Sequence, residues 1–237
     1  MSVQLASTAA EAVDDVVDGS TVMIGGFGPA GQPVELIEAL LEQGAGDLVL
    51  VSNNAGNGED ALARLIRHGR VRRIVCSFPR QVDSWHFDAA YRAGRIELEL
   101  VPQGNLAERI RAAGAGLGGF FTPTGYGTPL AEGKETRTID GVPMVFESPL
   151  RADLALVKAF RADGAGNLVY RKTARNFGPV MATAARRTVA QVNEVVPIGS
   201  IDPEAVVTPG IYVDAVVPID GVTTFAGGQP VERGAAT

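Results

Sequence analysis

Cysteine and histidine are scarce in this chain of 237 residues, which has one cysteine and two histidines. A single cysteine excludes an internal disulfide framework and cannot supply a cysteine-rich metal site. His68 and His86 are far apart and lack the HxxxH spacing of a metal-binding helix, so we predict no metal site. Cys76 lies in the apolar run RRIVCSF, which indicates a buried strand thiol rather than a nucleophile.

The chain also lacks an excess of basic residues and any long apolar run. Its formal net charge of −6 argues against nucleic acid as the main partner. No segment approaches the roughly 20 apolar residues of a membrane span, and the first residues, MSVQLASTAAEAVDD, carry acids without a basic leader region. We therefore expect a cytoplasmic protein with no membrane partner. The hydrophobic content of 46% suffices for one large domain, which we expect to span residues 1–237.

Short apolar, β-branched runs alternate with helical patterns along the chain. This alternation predicts the α/β class, with an open, mostly parallel sheet flanked by helices. The predicted strands are residues 21–24, 47–51, 73–77, 96–100, 154–159, 187–192 and 223–225. The predicted helices are residues 6–17, 34–43, 59–67, 88–93 and 106–113.

Residues 114–149 interrupt this alternation, because they are rich in glycine, proline and threonine. A loop with so many backbone breakers inside a compact domain is usually functional or flexible. Its last part is typical of a hairpin over residues 138–144, with the turn at Asp140 and Gly141.

The stretch PQGNLAERIRAAGAG, residues 102–116, has the pattern of a short helix with a capping box. Asn105 is the expected N-cap, Glu108 is the matching N3 residue, and Gly114 lies where a helix of about two turns would end. Gln103 then precedes the positive end of the helix, where a side-chain amide can hold a carboxylate or the oxyanion of an acyl-transfer intermediate. The alternative is a turn glutamine whose amide faces solvent.

A glycine-rich turn follows the strand predicted at residues 21–24. Gly26, Gly28 and Gly31 satisfy the GxGxxG spacing of dinucleotide-binding folds. Such a fold needs an acidic residue at the end of the second strand, where this chain reads SNN, and we therefore disfavour NAD binding. Glycine and asparagine at the carboxyl edge of a parallel sheet favour a polar ligand site instead, or else mark only tight turns.

Two later segments have the composition of binding surfaces. Residues 170–185, YRKTARNFGPVMATAA, could bring Arg171, Lys172 or Arg175 to an anion, although a solvated basic turn is the more common explanation of any single one. Residues 201–214, IDPEAVVTPGIYVD, resemble an extended arm of the kind that packs against another protein chain.

The motifs of this chain do not include a covalent catalyst. There is no GxSxG elbow, no P-loop, and no Ser/His/Asp pattern that the two histidines could complete. Glu59 and Glu132 are the candidates for a nucleophilic carboxylate, because each is next to glycine in a loop. Exposed loop or helix-start positions explain both residues as well.

Eight ordered motifs run along nearly the whole chain: GGFGPAGQP, SNNAG, VPQGNLAERIRAAGAG, FFTPTGYGT, AEGKE, RADLALVKA, GNLVYRKTARNFGPVMA and IDPEAVVTPGIYVD. Together they resemble the A (alpha) subunit of the two-subunit, family I 3-oxoacid CoA-transferases. The resemblance implies an open α/β fold, coenzyme A as a substrate, no permanently bound cofactor, and a partner B subunit in an A2B2 assembly. It also implies that the nucleophile is a glutamate of that B subunit, which forms a glutamyl-CoA thioester with CoA from succinyl-CoA.

The same resemblance implies roles for residues of this chain. Gln103 matches the family's active-site glutamine, which hydrogen-bonds a substrate carboxylate or the oxyanion. Asn53 and Asn54 match the turn that borders the same pocket. The glycine loop beside that turn corresponds to Gly26, Phe27 and Gly28. Most contacts to CoA are expected on the B subunit.

Within the family, the segment SFPRQVDSWHFDAAYRAGRIELELVPQGNLAERIRAAGAG resembles the members that use 3-oxoadipate in the breakdown of aromatic compounds. Relatives that use acetoacetate usually read like SYxGEN where this chain has residues 77–80, and they have cysteine at the position of Ala30. An oxoadipate-type substrate has a distal carboxylate that acetoacetate lacks, and arginine pairs well with carboxylates. We therefore hypothesise that Arg80 binds it. The rival interpretations are a CoA-transferase chain that uses acetate or acetoacetate, and a non-catalytic module that binds an organic acid or a sugar phosphate.

Overall fold

The computed structural model of the chain describes residues 3–219, 223–226 and 229–232. Its strands are β1 (Gln4–Leu5), β2 (Thr21–Ile24), β3 (Leu48–Val51), β4 (Val71–Cys76), β5 (Glu97–Leu100), β6 (Phe120–Thr122), β7 (Thr136–Ile139), β8 (Val142–Glu147), β9 (Ala152–Asp163), β10 (Leu168–Val169), β11 (Ala185–Val196), β12 (Ala215–Pro218), β13 (Thr223–Ala226) and β14 (Gln229–Glu232). Its α-helices are α1 (Val34–Gln43), α2 (Ala61–Arg67), α3 (Trp85–Arg92), α4 (Gln103–Gly114) and α5 (Gly178–Ala182). In these described ranges, none of the helices has the length and apolar character that crossing a bilayer requires.

The main sheet arranges its strands in the order β1-β12-β11-β9-β2-β3-β4-β5. Every neighbouring pair in this order is parallel, and the short β10 returns antiparallel to β9. The predicted α/β class with an open, mostly parallel sheet is therefore confirmed. Because parallel strands all end at one edge of the sheet, the loops that follow β2, β3 and β4 meet at this carboxyl edge.

Each face of the main sheet has its own hydrophobic core, because alternate strand residues point to opposite faces. Val22 belongs to the core covered by the first three helices, which includes Leu40 of α1. Its neighbour Met23 lies in the opposite core, with Leu106 of α4 and Met181 of α5. The strands are consequently apolar on both faces, as is typical of parallel sheets with helices on both sides.

A separate three-stranded antiparallel sheet, in the order β6-β8-β7, lies within residues 114–149. The hairpin predicted there is confirmed, because β7 and β8 pair and are joined at Asp140 and Gly141. Both turn residues have positive φ, of 50° and 77°. Two left-handed residues give a turn whose twist matches that of the flanking strands.

The helix predicted at residues 6–17 is wrong, because this segment contains a single 3-10 turn at Glu11–Val13 instead. The Thr8 hydroxyl accepts a hydrogen bond from the backbone N–H of Glu11, and the Glu11 carboxylate accepts one from the N–H of Ser7. Bonds of this kind begin a helix, so the reason that the helix ends after one turn lies further along the segment. The valines and aspartates that end the segment have low helix propensity.

The other predicted elements are present, most of them with shifted ends. Helix α1 has the predicted bounds, whereas β9 and β11 extend to 12 residues each and pair with one another over most of that length. The strand predicted at residues 223–225 is β13, which pairs with β14 outside the main sheet. The last strand of the main sheet to appear along the chain is β12, which the pattern analysis missed.

Candidate active site

Four segments with predicted site residues meet at the carboxyl edge of the main sheet. The glycine loop follows β2, the SNN turn follows β3, the SFPR loop follows β4, and α4 begins shortly after β5. These strands are neighbours in the order β2-β3-β4-β5, so the segments lie side by side in the same order. A crevice beyond the carboxyl ends of parallel strands is the usual ligand site of open α/β sheets.

Asn53 joins three of these segments through its side chain and backbone. Its Oδ1 atom accepts hydrogen bonds from Ser77 Oγ at 2.9 Å and from Gln103 Nε2 at 2.8 Å. Its carbonyl oxygen accepts from the backbone N–H groups of Ser77 and Phe78, at 3.2 and 3.0 Å. Asn53 is only 3% exposed, so these bonds hold it rigidly at the end of β3.

Gln103 is the first residue of α4 rather than a residue before the helix, so the predicted capping box is wrong. Pro102 occupies the N-cap position and makes no side-chain cap. The Asn105 amide instead donates to the buried Glu147 carboxylate at 3.1 Å, and Glu108 pairs with an arginine of the next turn. The carbonyl oxygen of Pro102 accepts the first helical hydrogen bond, from the Leu106 N–H at 2.8 Å, so the helix begins without a polar side-chain cap.

The Gln103 side chain is nevertheless exposed at the positive end of a helix, as the sequence analysis expected. Its bond to Asn53 uses one of the two N–H groups of the amide. The other N–H group can therefore donate to a bound oxyanion without disturbing that bond. The structure thus brings Gln103 and Asn53 together in one rigid unit.

Asn54 makes its hydrogen bonds within its own loop rather than toward the crevice. Its Oδ1 atom accepts from the backbone N–H of Gly56 at 2.9 Å, and its carbonyl oxygen accepts from the Ser52 hydroxyl. Asp60 then caps α2 by accepting from the Ala63 N–H at 2.7 Å. Asn54 is buried next to Asn53 and shapes the turn that the family resemblance places at the pocket.

The glycine loop folds into a tight turn that presents an aromatic side chain. Phe27 and Ala30 exchange two backbone hydrogen bonds, of 2.9 and 3.2 Å, and the buried Gln32 amide donates to the Gly28 carbonyl at 3.1 Å. Gly26 and Gly28 both have positive φ, of 134° and 55°, which L residues rarely adopt. Phe27 remains 52% exposed at the tip of this turn.

Asn176, which the sequence analysis did not single out, fixes the glycine loop from the side of β9. Its Oδ1 atom accepts from the backbone N–H of Gly26 at 3.1 Å, and its Nδ2 group donates to the Ala30 carbonyl at 2.9 Å. It lies in the RKTARNFGPV segment, in which the sequence pattern indicates the cations as the candidate binding residues. An asparagine between a basic run and a phenylalanine has no distinctive pattern, so only the fold reveals this role.

Arg80 lies on the exposed side of the SFPR loop and contacts two side chains of α3. Its Nε atom is 2.6 Å from Asp88 Oδ1, and its guanidinium carbon is 5.9 Å from the centre of the Tyr91 ring. The side chain is 55% exposed. Within the described residues it has no hydrogen bond to Asn53 or Gln103, so it lies at the periphery of the site formed at the carboxyl edge of the sheet.

A chain of ion pairs that the sequence analysis missed anchors α4. Arg109 is buried, with its Nη1 atom 2.6 Å from Glu99 Oε1 of β5 and its Nε atom 3.8 Å from Glu147 Oε2 of β8. Glu99 also pairs with Arg73 of β4, and Glu147 pairs with Lys134 at 2.8 Å. Because these partners are far apart in sequence, no local pattern predicts the pairs.

The candidate nucleophiles do not join this site. Burial raises the pKa of the Cys76 thiol to about 12, which confirms the expected buried strand thiol. Glu59 is exposed and pairs with Arg67 and His86, and the hydrogen bond from His86 lowers its pKa. Glu132 is exposed after a 3-10 turn of the three-stranded sheet region. No three potential metal ligands gather anywhere in the described ranges.

Comparison with known proteins gives one family and several close relatives. The family described as coenzyme A transferase matches residues 6–218. The A subunit of a 3-oxoadipate CoA-transferase from Pseudomonas putida is 63% identical over 90% of this chain and 92% of its own length. The protein of the same name in Acinetobacter baylyi is 60% identical over 93% of this chain and 97% of its own. The A subunit of a succinyl-CoA:3-ketoacid coenzyme A transferase from Xanthomonas campestris is 50% identical, over 85% of this chain and 83% of its own.

Among solved structures, an acyl-CoA transferase of Escherichia coli O157:H7, in a thioester complex with CoA, superimposes with a TM-score of 0.82. It is 22% identical, and the match covers 97% of this chain but only 50% of that longer chain. At this identity the likeness concerns the fold alone.

Proposed function

Because the chain belongs to the coenzyme A transferase family, we propose that it is the A component of a two-subunit enzyme that moves CoA from succinyl-CoA to 3-oxoadipate. The observation that supports this substrate is identity along nearly the whole chain. Two relatives named for 3-oxoadipate are 63% and 60% identical, whereas a relative named for 3-ketoacids is 50% identical. That second name supports an acetoacetate-type enzyme as the alternative.

In the proposed reaction, the nucleophile is a glutamate of the B subunit. Its carboxylate attacks the thioester carbonyl of succinyl-CoA, the CoA thiolate leaves, and a mixed anhydride remains. The thiolate then attacks the glutamyl carbonyl of the anhydride, which releases succinate and leaves a glutamyl-CoA thioester. The same steps in reverse pass CoA to a carboxylate of 3-oxoadipate. This division of labour agrees with the lack of a nucleophile among the site residues described above.

The proposed contribution of this chain is to bind and stabilise the oxyanions of these steps. Each addition to a carbonyl places a negative charge on oxygen, and Gln103 can donate its second N–H group to that charge from the positive end of α4. The bond to the buried Asn53 fixes the amide in advance, so little reorganisation is needed. Asn54 and the loop of Gly26, Phe27 and Gly28 border the site and help to exclude water.

Arg80 is the proposed determinant for the distal carboxylate of 3-oxoadipate. It already holds a carboxylate, that of Asp88, so a substrate carboxylate would replace or join this pair on the rim. Acetoacetate has no second carboxylate and gains nothing from the guanidinium.

The proposal includes the assembly and setting that the family resemblance implies. The relatives are named as A subunits, which supports an obligatory partner of the B type. We place the enzyme in the cytoplasm as an A2B2 heterotetramer that acts in the catabolism of aromatic compounds. Coenzyme A enters and leaves as part of the substrates.

A transfer assay tests the proposed function. The chain is assayed alone and with its B subunit, with succinyl-CoA as donor and 3-oxoadipate or acetoacetate as acceptor. We expect transfer only in the mixture, with a kcat/KM for 3-oxoadipate well above that for acetoacetate. A preference for acetoacetate would favour the alternative, and the absence of transfer in the mixture would refute the proposal.

A further inference from the structure

Three cations lie on one short turn at the carboxyl edge of the sheet. Arg171, Lys172 and Arg175 are exposed, and they belong to a 3-10 turn that follows β10. Within the part of the chain that the structure describes, no carboxylate pairs with any of them, whereas nearby Arg161 pairs with a glutamate of β11. Residues 171–175 are called the cationic turn below.

The cationic turn is fixed against the glycine loop. Asn176 follows it directly, accepts from the Gly26 N–H, and donates to the carbonyls of Ala30 and Thr173. A methyl group added at Gly31 would lie 2.5 Å from the Ala174 carbonyl oxygen, so the two backbones touch. The cations are therefore held next to the loop that borders the proposed acyl-transfer site.

The backbone of the turn is strained at one of its cations. Lys172 has φ of +50°, a left-handed conformation that side-chain-bearing residues other than asparagine and aspartate seldom adopt. Such strain is concentrated at ligand-binding sites, where it fixes a side chain in place. Arg171 is also positioned, because its guanidinium carbon lies 5.5 Å from the centre of the Phe160 ring.

We propose that the cationic turn binds the phosphate groups of coenzyme A, an inference that rests on the proposed function. The chain has a net charge of −6 and would repel a polyanionic thioester unless a local positive surface offset that repulsion. Three exposed cations spread over five residues match several phosphates better than a single carboxylate, which one guanidinium suffices to hold. The turn thereby adds a phosphate contact on this chain to the CoA contacts expected on the B subunit.

Direct binding to the complex of this chain with its B subunit tests the proposal. The probes are CoA, pantetheine, which lacks the phosphates, and adipate, which offers only carboxylates. The test variant combines Arg171→Gln, Lys172→Gln and Arg175→Gln. We expect its Kd for CoA to rise about tenfold or more, its Kd for pantetheine to stay unchanged, and the salt dependence of CoA binding to weaken.

A matched control removes the same charge from the opposite edge of the sheet. Arg72, Arg95 and Arg151 are exposed and lie at or before the amino ends of β4, β5 and β9. The control with all three changed to Gln should bind CoA as the wild type does. An equal loss in this control, or unchanged CoA affinity in the test variant, would overturn the proposal.

Binding of adipate, single variants and the wild-type complex distinguish the other possible results. If the triple variant binds adipate more weakly but CoA as the wild type does, the phosphate assignment is overturned and the turn binds a substrate carboxylate instead. If the triple variant does not fold, the single Gln variants should each weaken CoA binding about two- to threefold, whereas Arg171→Lys and Arg175→Lys, which keep the positive charge, should each weaken CoA binding less than the matching Gln variant. The wild-type complex reports on the proposed function separately, because it can bind CoA through the turn even if it transfers CoA to neither acid.

Discussion

The Gln103 amide and the side-chain oxygen of Asn53 form the contact on which the proposed chemistry depends. Asn53 is buried and also accepts from the Ser77 hydroxyl, so its orientation is set before any substrate arrives. Gln103 is exposed and adds a donor at the positive end of a helix. A preorganised donor of this kind stabilises the transition state more than the bound substrate.

We predict that Gln103→Ala lowers kcat about a hundredfold and changes KM for succinyl-CoA little, because the lost bond acts mainly on the transition-state oxyanion. Steady-state kinetics of the complex with the B subunit measure both constants. Gln4→Ala, at an exposed position of β1, is the control and should leave them unchanged. A raised KM with an unaltered kcat would show that Gln103 only binds the ground state.

Arg80 separates two substrate classes in the proposal, so its removal should act on only one of them. Arg80→Ala is expected to raise KM for 3-oxoadipate about tenfold or more and to leave KM for acetoacetate unchanged, because only the first has a distal carboxylate. Arg92→Ala is a matched control, since Arg92 also approaches Asp88 but at 3.8 Å and from α3 itself. Equal effects of Arg80→Ala on both acids would refute the assignment.

At the scale of elements, the glycine loop depends on close contact with the cationic turn. Gly31 has φ of +78° and no room for a methyl group, whereas Gly28 has φ of +55° and open space around it. We predict that Gly28→Ala lowers the free energy of unfolding by about 1–2 kcal/mol, which is the left-handed strain alone. Gly31→Ala should cost about 1–3 kcal/mol more, because the methyl group meets the backbone of the turn.

Urea denaturation of the two variants measures these costs. Equal destabilisation by both substitutions would mean that the contact between the loops relaxes freely. The cationic turn would then have no fixed position beside the glycine loop, and the proposed phosphate site would lose that support.

Helix α4 is held at its angle by Arg109, which lies between Glu99 and Glu147. Burial alone would raise the pKa of Glu99, but Arg109 and Arg73 outweigh it and hold that pKa below the ordinary value of 4.5. A carboxylate whose pKa is lower in the folded state stabilises the fold above the unfolded pKa. This contribution is lost as the pH falls from 4.5 through the folded pKa.

We therefore predict that the free energy of unfolding decreases as the pH is lowered below 4.5, and that Glu99→Gln flattens this part of the profile. Chemical denaturation at a series of acidic pH values gives the slope. Glu97→Gln is the control, because Glu97 is an exposed residue of the same strand and forms no ion pair within the described residues. An unchanged slope in Glu99→Gln would show that other carboxylates dominate the acid response.

The sequence predicted the alternation of β-strands and α-helices well, because periodicity depends on local burial. Helix α1 and the hairpin at Asp140 and Gly141 follow from residues that are neighbours in sequence. The predicted capping box failed because Asn105 is drawn to Glu147, which lies 42 residues further along the chain. The helix predicted at residues 6–17 failed because the valines and aspartates of its second half have low helix propensity, so that only a 3-10 turn forms.

At the scale of the whole molecule, the site is distributed over loops that only the sheet order brings together. The glycine loop, the SNN turn and Gln103 were recognised from motifs, since each is short and local. Asn176 and the ion pairs of Arg109 were not, because their partners come from a distant loop and from other strands. The central claim, the proposal that this chain forms half of an acyl-transfer site, rests on its family membership and on the contact between Gln103 and Asn53.

Peptide mass spectrometry after incubation with succinyl-CoA tests that claim most directly. The chain is treated alone and in complex with its B subunit, and borohydride reduction can trap the thioester at the modified carboxyl group. The account predicts an adduct only in the complex, on a glutamate of the B subunit. An adduct on this chain when treated alone, at Glu59, Glu132 or any other residue, would contradict it.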